Sequence, residues 1–339
     1  MATVATTVVF DQHGPPDRVL RQDQMPLKPP EDNEVEVDML AAPINPSDIN
    51  LVEGTYGIKP DLPAVAGLEG VGRVTKVGPA VTSLAVSDWV IPASTGKAFG
   101  TWRTAAVCAA EDLLKVRSDA PVEYAATVAV NPCTAYRMLE DFAHLEEGDV
   151  VVQNGATSMV GLAVIQLARE RGLHSVNIIR DRPNFEEKAA ELKALGASVV
   201  LTEERAQSPE GKQAMKGFPP AKLGLNCVGG SAATAVTKLL GTGATLVTYG
   251  GMSMKPVTIS TSYFIFKDIT CKGFWVSRWA QEHSAEERSK MIDYLLGLAR
   301  DKKLTFNFEK TPFTDFDFAL KKALGKEGFT AGKQLLVFK

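Results

Sequence analysis

The rhythm of hydrophobic and polar positions changes near residue 125. Before it, short β-branched runs are broken by Pro and Gly, as in Thr3-Val-Ala-Thr-Thr-Val-Val-Phe10, Glu34-Val-Glu-Val-Asp38, Gly70-Val-Gly-Arg-Val-Thr-Lys-Val77 and Asp88-Trp-Val-Ile91. Such runs predict short strands in a twisted, barrel-like sheet. After it, strands and helices alternate. Asp149-Val-Val-Val-Gln-Asn154 suits a strand buried on both faces. A helix follows over Gly161–Arg171, with Leu162, Ile165, Leu167 and Ala168 at roughly helical spacing and Gly172 as its stop. The same logic predicts a strand at 175–179, a helix over 183–195 closed by Gly196, and a strand at 198–201. A strand at 223–228, a helix over 231–240, and strands at 245–249 and 268–274 complete the series. Parallel neighbours need crossover helices, so repeated βα units imply a doubly wound parallel sheet. Beyond residue 280 one amphipathic helix is expected over Ala285–Asp301, with Met291, Leu295 and Leu298 inward. A polar, β-leaning tail ending Lys333-Gln-Leu-Leu-Val-Phe-Lys339 then returns to the first domain. The expected domains are therefore 1–125 with 276–339, and 126–275.

Composition adds mainly exclusions. At 339 residues the chain is long for a single core, which agrees with two domains. A net charge of -3 gives no electrostatic footprint for nucleic acid. No stretch approaches the ~18 apolar residues of a membrane span. Arg18 is the first basic side chain, so the start of the chain reads neither as a secretory signal nor as a transit peptide; for an imported protein this would be the mature form. Cys108, Cys133, Cys227 and Cys271 contain no C-x-x-C pair, which argues for free thiols packed as small hydrophobes.

The first chemical signal is Gly155-Ala-Thr-Ser-Met-Val-Gly161, between a strand and a helix. The first amides of a helix point outward and its dipole favours negative charge, so small residues there suit a phosphate. Met159 stands where a glycine would ease backbone approach, and an ordinary strand–turn–helix would look much the same. Arg180-Asp-Arg182 falls about twenty residues on, where an adenine ribose is read. Asp181 alone would suit the 2′-hydroxyl of NAD, whereas two flanking guanidinium forks suit the 2′-phosphate of NADP. A solvated charged turn is the plainer alternative.

Longer motifs carry a family likeness. Asn45-Pro-Ser-Asp-Ile-Asn50, Gly54-Thr-Tyr-Gly57, Leu62-Pro-Ala-Val-Ala-Gly-Leu-Glu-Gly70, Gly100-Thr-Trp-Arg-Thr104 and Asn131-Pro-Cys-Thr-Ala-Tyr136 resemble the mitochondrial enoyl-thioester reductases of the medium-chain dehydrogenase/reductase superfamily. So do Asn226-Cys-Val-Gly-Gly230, Val247-Thr-Tyr-Gly-Gly-Met252 and the segment from Phe266 to Trp275. The resemblance implies a GroES-like catalytic domain joined to a Rossmann-type cofactor domain, NADPH as cofactor, a mitochondrial location and a homodimer. It implies an enoyl-CoA or enoyl-acyl carrier protein substrate. It also implies cofactor contacts from Asn131, Thr157, Ser158, Met159, Val160, Arg180, Asp181, Arg182, Tyr249, Gly250, Gly251, Met252, Phe274, Trp275, Val276, Ser277 and Lys333. Zinc-dependent relatives place a cysteine before Ser/Thr-Asp and a histidine in Gly-His-Glu. Here Asn45 and Leu68 occupy those places, so no metal is expected.

Conjugate reduction needs a hydride at the β carbon and a proton at the α carbon, and the developing enolate needs donors in a dry site. Tyr56 matches the family's catalytic tyrosine, and Trp275 would line the acyl pocket or fix the nicotinamide. Taken singly, the first reads as loop cover and the second as core. A zinc-free NADPH quinone or enone reductase shares the cofactor loop and is the alternative. A third possibility, a protein that binds cofactor and partner without turnover, leaves Tyr56 and Asn131 without a role.

Overall fold

The computed structural model describes residues 4–94, 99–327 and 332–338. The chain divides into two compact units, Asn131–Val276 and the combination of Met1–Val130 with Ser277–Lys339.

The 131–276 unit is built on six parallel strands: β1 (Val150–Asn154), β2 (His174–Ile179), β3 (Val199–Thr202), β4 (Ala221–Asn226), β5 (Leu240–Thr248) and β6 (Thr270–Gly273). They lie in the order β3-β2-β1-β4-β5-β6. Chain direction across the sheet reverses between β1 and β4, the place where ligands bind in such sheets. Strand alternation sends adjacent Ile178 and Ile179 to two different core clusters. Helices Met159–Glu170, Phe185–Leu195 and Gly230–Leu239 follow β1, β2 and β4. Gly196 ends the second of these helices in the left-handed region at φ 115°, where a side chain would be strained.

The other unit has two sheets, antiparallel except where Phe308–Pro312 runs parallel to Lys333–Val337. In the smaller, Val4–Phe10 lies between Arg21–Pro26 and Ala64–Val65. In the larger, Glu34–Pro43 is central. One edge of this ten-residue strand pairs with Val71–Val77 through two register shifts, and the other is shared by Ala105–Ala109 and Lys333–Val337. The core centres on Trp102, which is fully buried against Phe316 at 5.1 Å and donates its indole N–H to Pro43 O at 3.0 Å.

Several elements go beyond the sequence pattern. The helix Pro46–Val52 is too short to show an amphipathic repeat. Thr261–Lys267 buries none of its residues, so no apolar face marks it. The tail read as β-leaning contains the helix Phe316–Ala323, which buries Phe316, Ala319 and Leu320. The strand expected over 268–274 is shorter, Thr270–Gly273, because Asp268 turns left-handed at φ 51° to end the preceding helix. Among the described residues no helix is long and apolar enough to cross a membrane.

Candidate functional site

The chemistry of the parallel-sheet unit gathers where β1, β4 and β5 end. After β1 the loop turns through Gly155 at φ 62°; a Cβ there would lie 2.4 Å from Cys227 Sγ, so only glycine fits. Ser158 caps the helix Met159–Glu170 by accepting the Gly161 amide at 3.1 Å. Thr157 and Ser158 are exposed, while Met159 and Val160 are buried beneath the turn. Gly161 packs directly on Ala156. Arg180, Asp181 and Arg182 follow β2, all exposed.

After β5, Tyr249 and Gly250 are half-buried and Gly251 and Met252 exposed. The Tyr249 phenol is interior. Burial and the neighbouring Cys227 thiol push it well above its ordinary value, and Ser158 works against that shift. Burial likewise raises the Cys227 thiol above its ordinary value. Phe274 donates its amide to Thr248 O at 3.0 Å and meets Phe142 edge-on at 5.6 Å. Trp275 is half-buried, and Val276 and Ser277 are buried where one unit passes into the other. Asn131, half-buried, opens the helix Asn131–Asp141.

In the other unit Tyr56 follows the helix Pro46–Val52. Its amide donates to Asn50 O at 3.1 Å, and its ring packs, partly buried, on the Trp102 core. Behind that helix lies a buried charged cluster. Asp48 takes the Asn45 amide at 2.7 Å on Oδ2 and the Leu68 amide at 2.8 Å on Oδ1. Glu69 takes the Val130 amide at 2.7 Å on Oε1 and Asn45 Nδ2 at 2.8 Å on Oε2. Lys333 Nζ donates to Asn45 Oδ1 at 2.5 Å. Burial raises the carboxyls of Asp48 (to about 6) and Glu69, and lowers the Lys333 ammonium, whose charge both carboxyls favour. Lys333 thus lies 288 residues from Asn45 in sequence yet in contact with it, while Thr157, Ser158, Tyr249 and Gly250 gather around Cys227 or the loop it packs on. Neither the charged cluster nor the amides of Asn154 and Asn226 left a periodic mark. The only cue was that Asn45 and Glu69 replace or adjoin the metal-ligand positions of zinc relatives. Among the described residues no group of three or more His, Cys, Asp or Glu side chains converges as metal ligands would.

A GroES-like sheet unit joined to a six-stranded dinucleotide-type sheet defines a medium-chain dehydrogenase/reductase. The alcohol dehydrogenase GroES-like domain profile matches residues 31–118, and the zinc-binding dehydrogenase profile matches 160–294. Within that class, the chain belongs to the family of mitochondrial enoyl-[acyl-carrier-protein] reductases. It is 50% identical to the Arabidopsis thaliana member over 338 residues, covering 100% of this chain and 89% of that protein. It is 47% identical to the Homo sapiens member, covering 97% and 87%. Among solved structures, a complex of Etr1p with NADP and crotonyl-CoA matches with a TM-score of 0.91 at 36% identity, over 99% of this chain and 100% of that one. The mitochondrial 2-enoyl thioester reductase Etr1p/Etr2p heterodimer from Candida tropicalis matches with a TM-score of 0.90 at 36% identity and the same coverage.

Proposed function

We propose that this protein reduces trans-2-enoyl thioesters of coenzyme A or acyl carrier protein to saturated acyl thioesters with NADPH, in mitochondrial fatty acid synthesis. The observation that carries the reading is the match over 338 residues, at 50% identity, to a protein named for this reaction. Local geometry supports it. The capped helix after Gly155, the two exposed arginines after β2 and the glycines after β5 fit an extended anionic dinucleotide.

Bound NADPH supplies the hydride for the β carbon. Thr157, Ser158 and the amides of Met159 and Val160 hold the pyrophosphate, and Arg180 and Arg182 grip the 2′-phosphate on either side of Asp181. Gly250 and Gly251 let the backbone pass close to the nicotinamide half, between Tyr249 and Met252. Asn131, Phe274, Val276 and Ser277 complete that half, and Trp275 forms a wall for the acyl chain. Lys333 adds a cation whose position Asn45 sets. Tyr56 acts as general acid toward the α carbon. A phenol keeps its proton at neutral pH and can donate it as charge develops. No step calls on a metal, and Asn45 is engaged with Glu69 and Lys333 instead.

The deciding experiment follows NADPH absorbance with crotonyl-CoA and, separately, with a quinone. Turnover of crotonyl-CoA at least about a hundredfold faster is expected, a gap of about 2.7 kcal/mol. Preference for the quinone would favour the alternative, a zinc-free NADPH quinone or enone reductase.

The protein is further a homodimer in this reading. All four residues of edge strand β6 are exposed, and Phe264, Ile265 and Phe266 on the preceding helix are 45%, 65% and 78% exposed. An open strand edge beside apolar surface calls for a partner. Sedimentation at micromolar concentration should give twice the 36.4 kDa chain mass, and a lone monomer would refute pairing.

A further inference from the structure

We infer that Asn154 and Asn226 are positioning residues that fasten the cofactor loops after β1 and β5 to the turn between them after β4, so that NADPH affinity depends on two side chains buried beneath the loops. The inference rests on the reading that these loops hold NADPH. Asn154, Asn226 and Thr248 are the last residues of β1, β4 and β5, the three strands that feed the loops at 155–158, 227–229 and 249–254.

The bonding fixes both amide orientations. Asn226 Oδ1 accepts Asn154 Nδ2 at 2.7 Å, the Gly229 amide at 3.1 Å and the Val228 amide at 3.3 Å. Two of these donors are backbone N–H groups, so that atom must be the oxygen. Asn226 Nδ2 then faces Thr248 Oγ1 at 3.1 Å, and Asn154 Oδ1 accepts the Cys227 amide at 2.8 Å. Both asparagines are buried to within 1% of complete. A buried amide without partners is costly, so each holds the other in one rotamer.

Backbone bonds extend the lock outward. Tyr249 donates to Asn226 O at 3.0 Å, Met252 to Cys227 O at 2.9 Å and Ser253 to Val228 O at 2.9 Å. Cys227 Sγ fills the space a Cβ on Gly155 would need, and a Cβ on Gly250 would lie 3.2 Å from Cys227 Cβ. The 227–229 loop is therefore a wedge held by the amides between the phosphate loop and the loop after β5. Releasing the wedge would misplace both at once. The network is uncharged, so it sets loop position without placing a formal charge beside the phosphates.

The test compares Asn226→Leu, which keeps the size and removes every side-chain bond, with Thr248→Val, which removes one hydroxyl. NADPH dissociation constants come from protein fluorescence, and kcat and both KM values from the crotonyl-CoA assay. For Asn226→Leu we expect NADPH Kd and KM to rise about tenfold or more, the scale of a broken buried network. The KM for crotonyl-CoA and kcat at saturating NADPH should stay within about threefold. For Thr248→Val a rise of about threefold in NADPH Kd is expected. A network that only stabilises the fold would lower the melting temperature and leave Kd unchanged. Should Asn226→Leu not fold, Thr248→Val decides. NADPH Kd unchanged in every folded variant, or a fall in kcat alone, overturns the inference. Failure of the unmodified protein to bind NADPH would instead overturn the cofactor reading itself.

Discussion

Two buried polar clusters, one from each unit, meet the cost of burial differently. Asp48, Glu69 and Lys333, linked through the Asn45 amide, bring formal charges into the interior and depend on opposite sign for their balance. Asn154, Asn226 and Thr248 bring only dipoles and depend on geometry. Removing one partner of a buried charged set strands a charge, at about 3–5 kcal/mol. Removing one partner of a neutral set strands an amide, at about 1–3 kcal/mol. The stronger device thus stands behind the helix that leads to the proposed acid, and the neutral one beneath the loops proposed to hold phosphates. The contrast predicts that lesions in the charged cluster act first on stability, and those in the neutral one on cofactor affinity.

The largest expected effect is that of Tyr56→Phe. The ring and its packing remain, so NADPH affinity should hold while kcat falls by about 10²–10⁴, the usual worth of a general acid. Activity within about threefold of the parent would mean that another group delivers the proton. Stability tests the charged cluster next. Lys333→Met should lose about 3 kcal/mol or more in urea denaturation, because Glu69 and Asn45 Oδ1 lose their cation. Adding Glu69→Gln should recover a good part of that loss by removing the stranded charge. A single variant as stable as the parent would show that the ammonium does not neutralise the cluster. The smallest effect concerns the second unit's surface. Replacing Arg180 and Arg182 together by Ala should erase a preference for NADPH over NADH of about tenfold, or about 1.4 kcal/mol. Equal affinity for the two cofactors in the parent would assign the site to Asp181 instead.

What was legible in the chain follows from how local each signal is. The βα alternation could be read because β1 and β2 are short runs of β-branched residues and because Gly196 announces the end of its helix. Element ends then differ by only a few residues, as in the helix expected from 161 that begins at Met159. The helix Pro46–Val52 carried its signal in Asn45, Pro46 and Asp48, a start motif without an apolar repeat behind it. Lys333 gave no sign of its burial. A lysine in a short terminal strand looks solvated, and the Asn45 oxygen that receives it is reached only by folding. The amides of Asn154 and Asn226 were hidden similarly. Each ends an apolar strand, where a polar residue reads as the beginning of a turn.

The pairing of Lys333–Val337 with Glu34–Pro43 bears on how the chain is made. Leu335, Leu336 and Val337 lie opposite Pro43, Ala42 and Ala41, and the whole Asn131–Val276 unit is synthesised between those partners. During translation residues 41–43 of the central strand of the larger sheet must wait unpaired on one edge until the later strand emerges. Contacts so far apart in sequence form slowly, whereas every strand of the inserted sheet comes from one continuous stretch. The inserted unit is thus placed to fold on the ribosome first. A nascent chain halted before Lys333 would expose an apolar strand edge and leave Asn45 Oδ1 without its ammonium, the form that chaperones and proteases would meet.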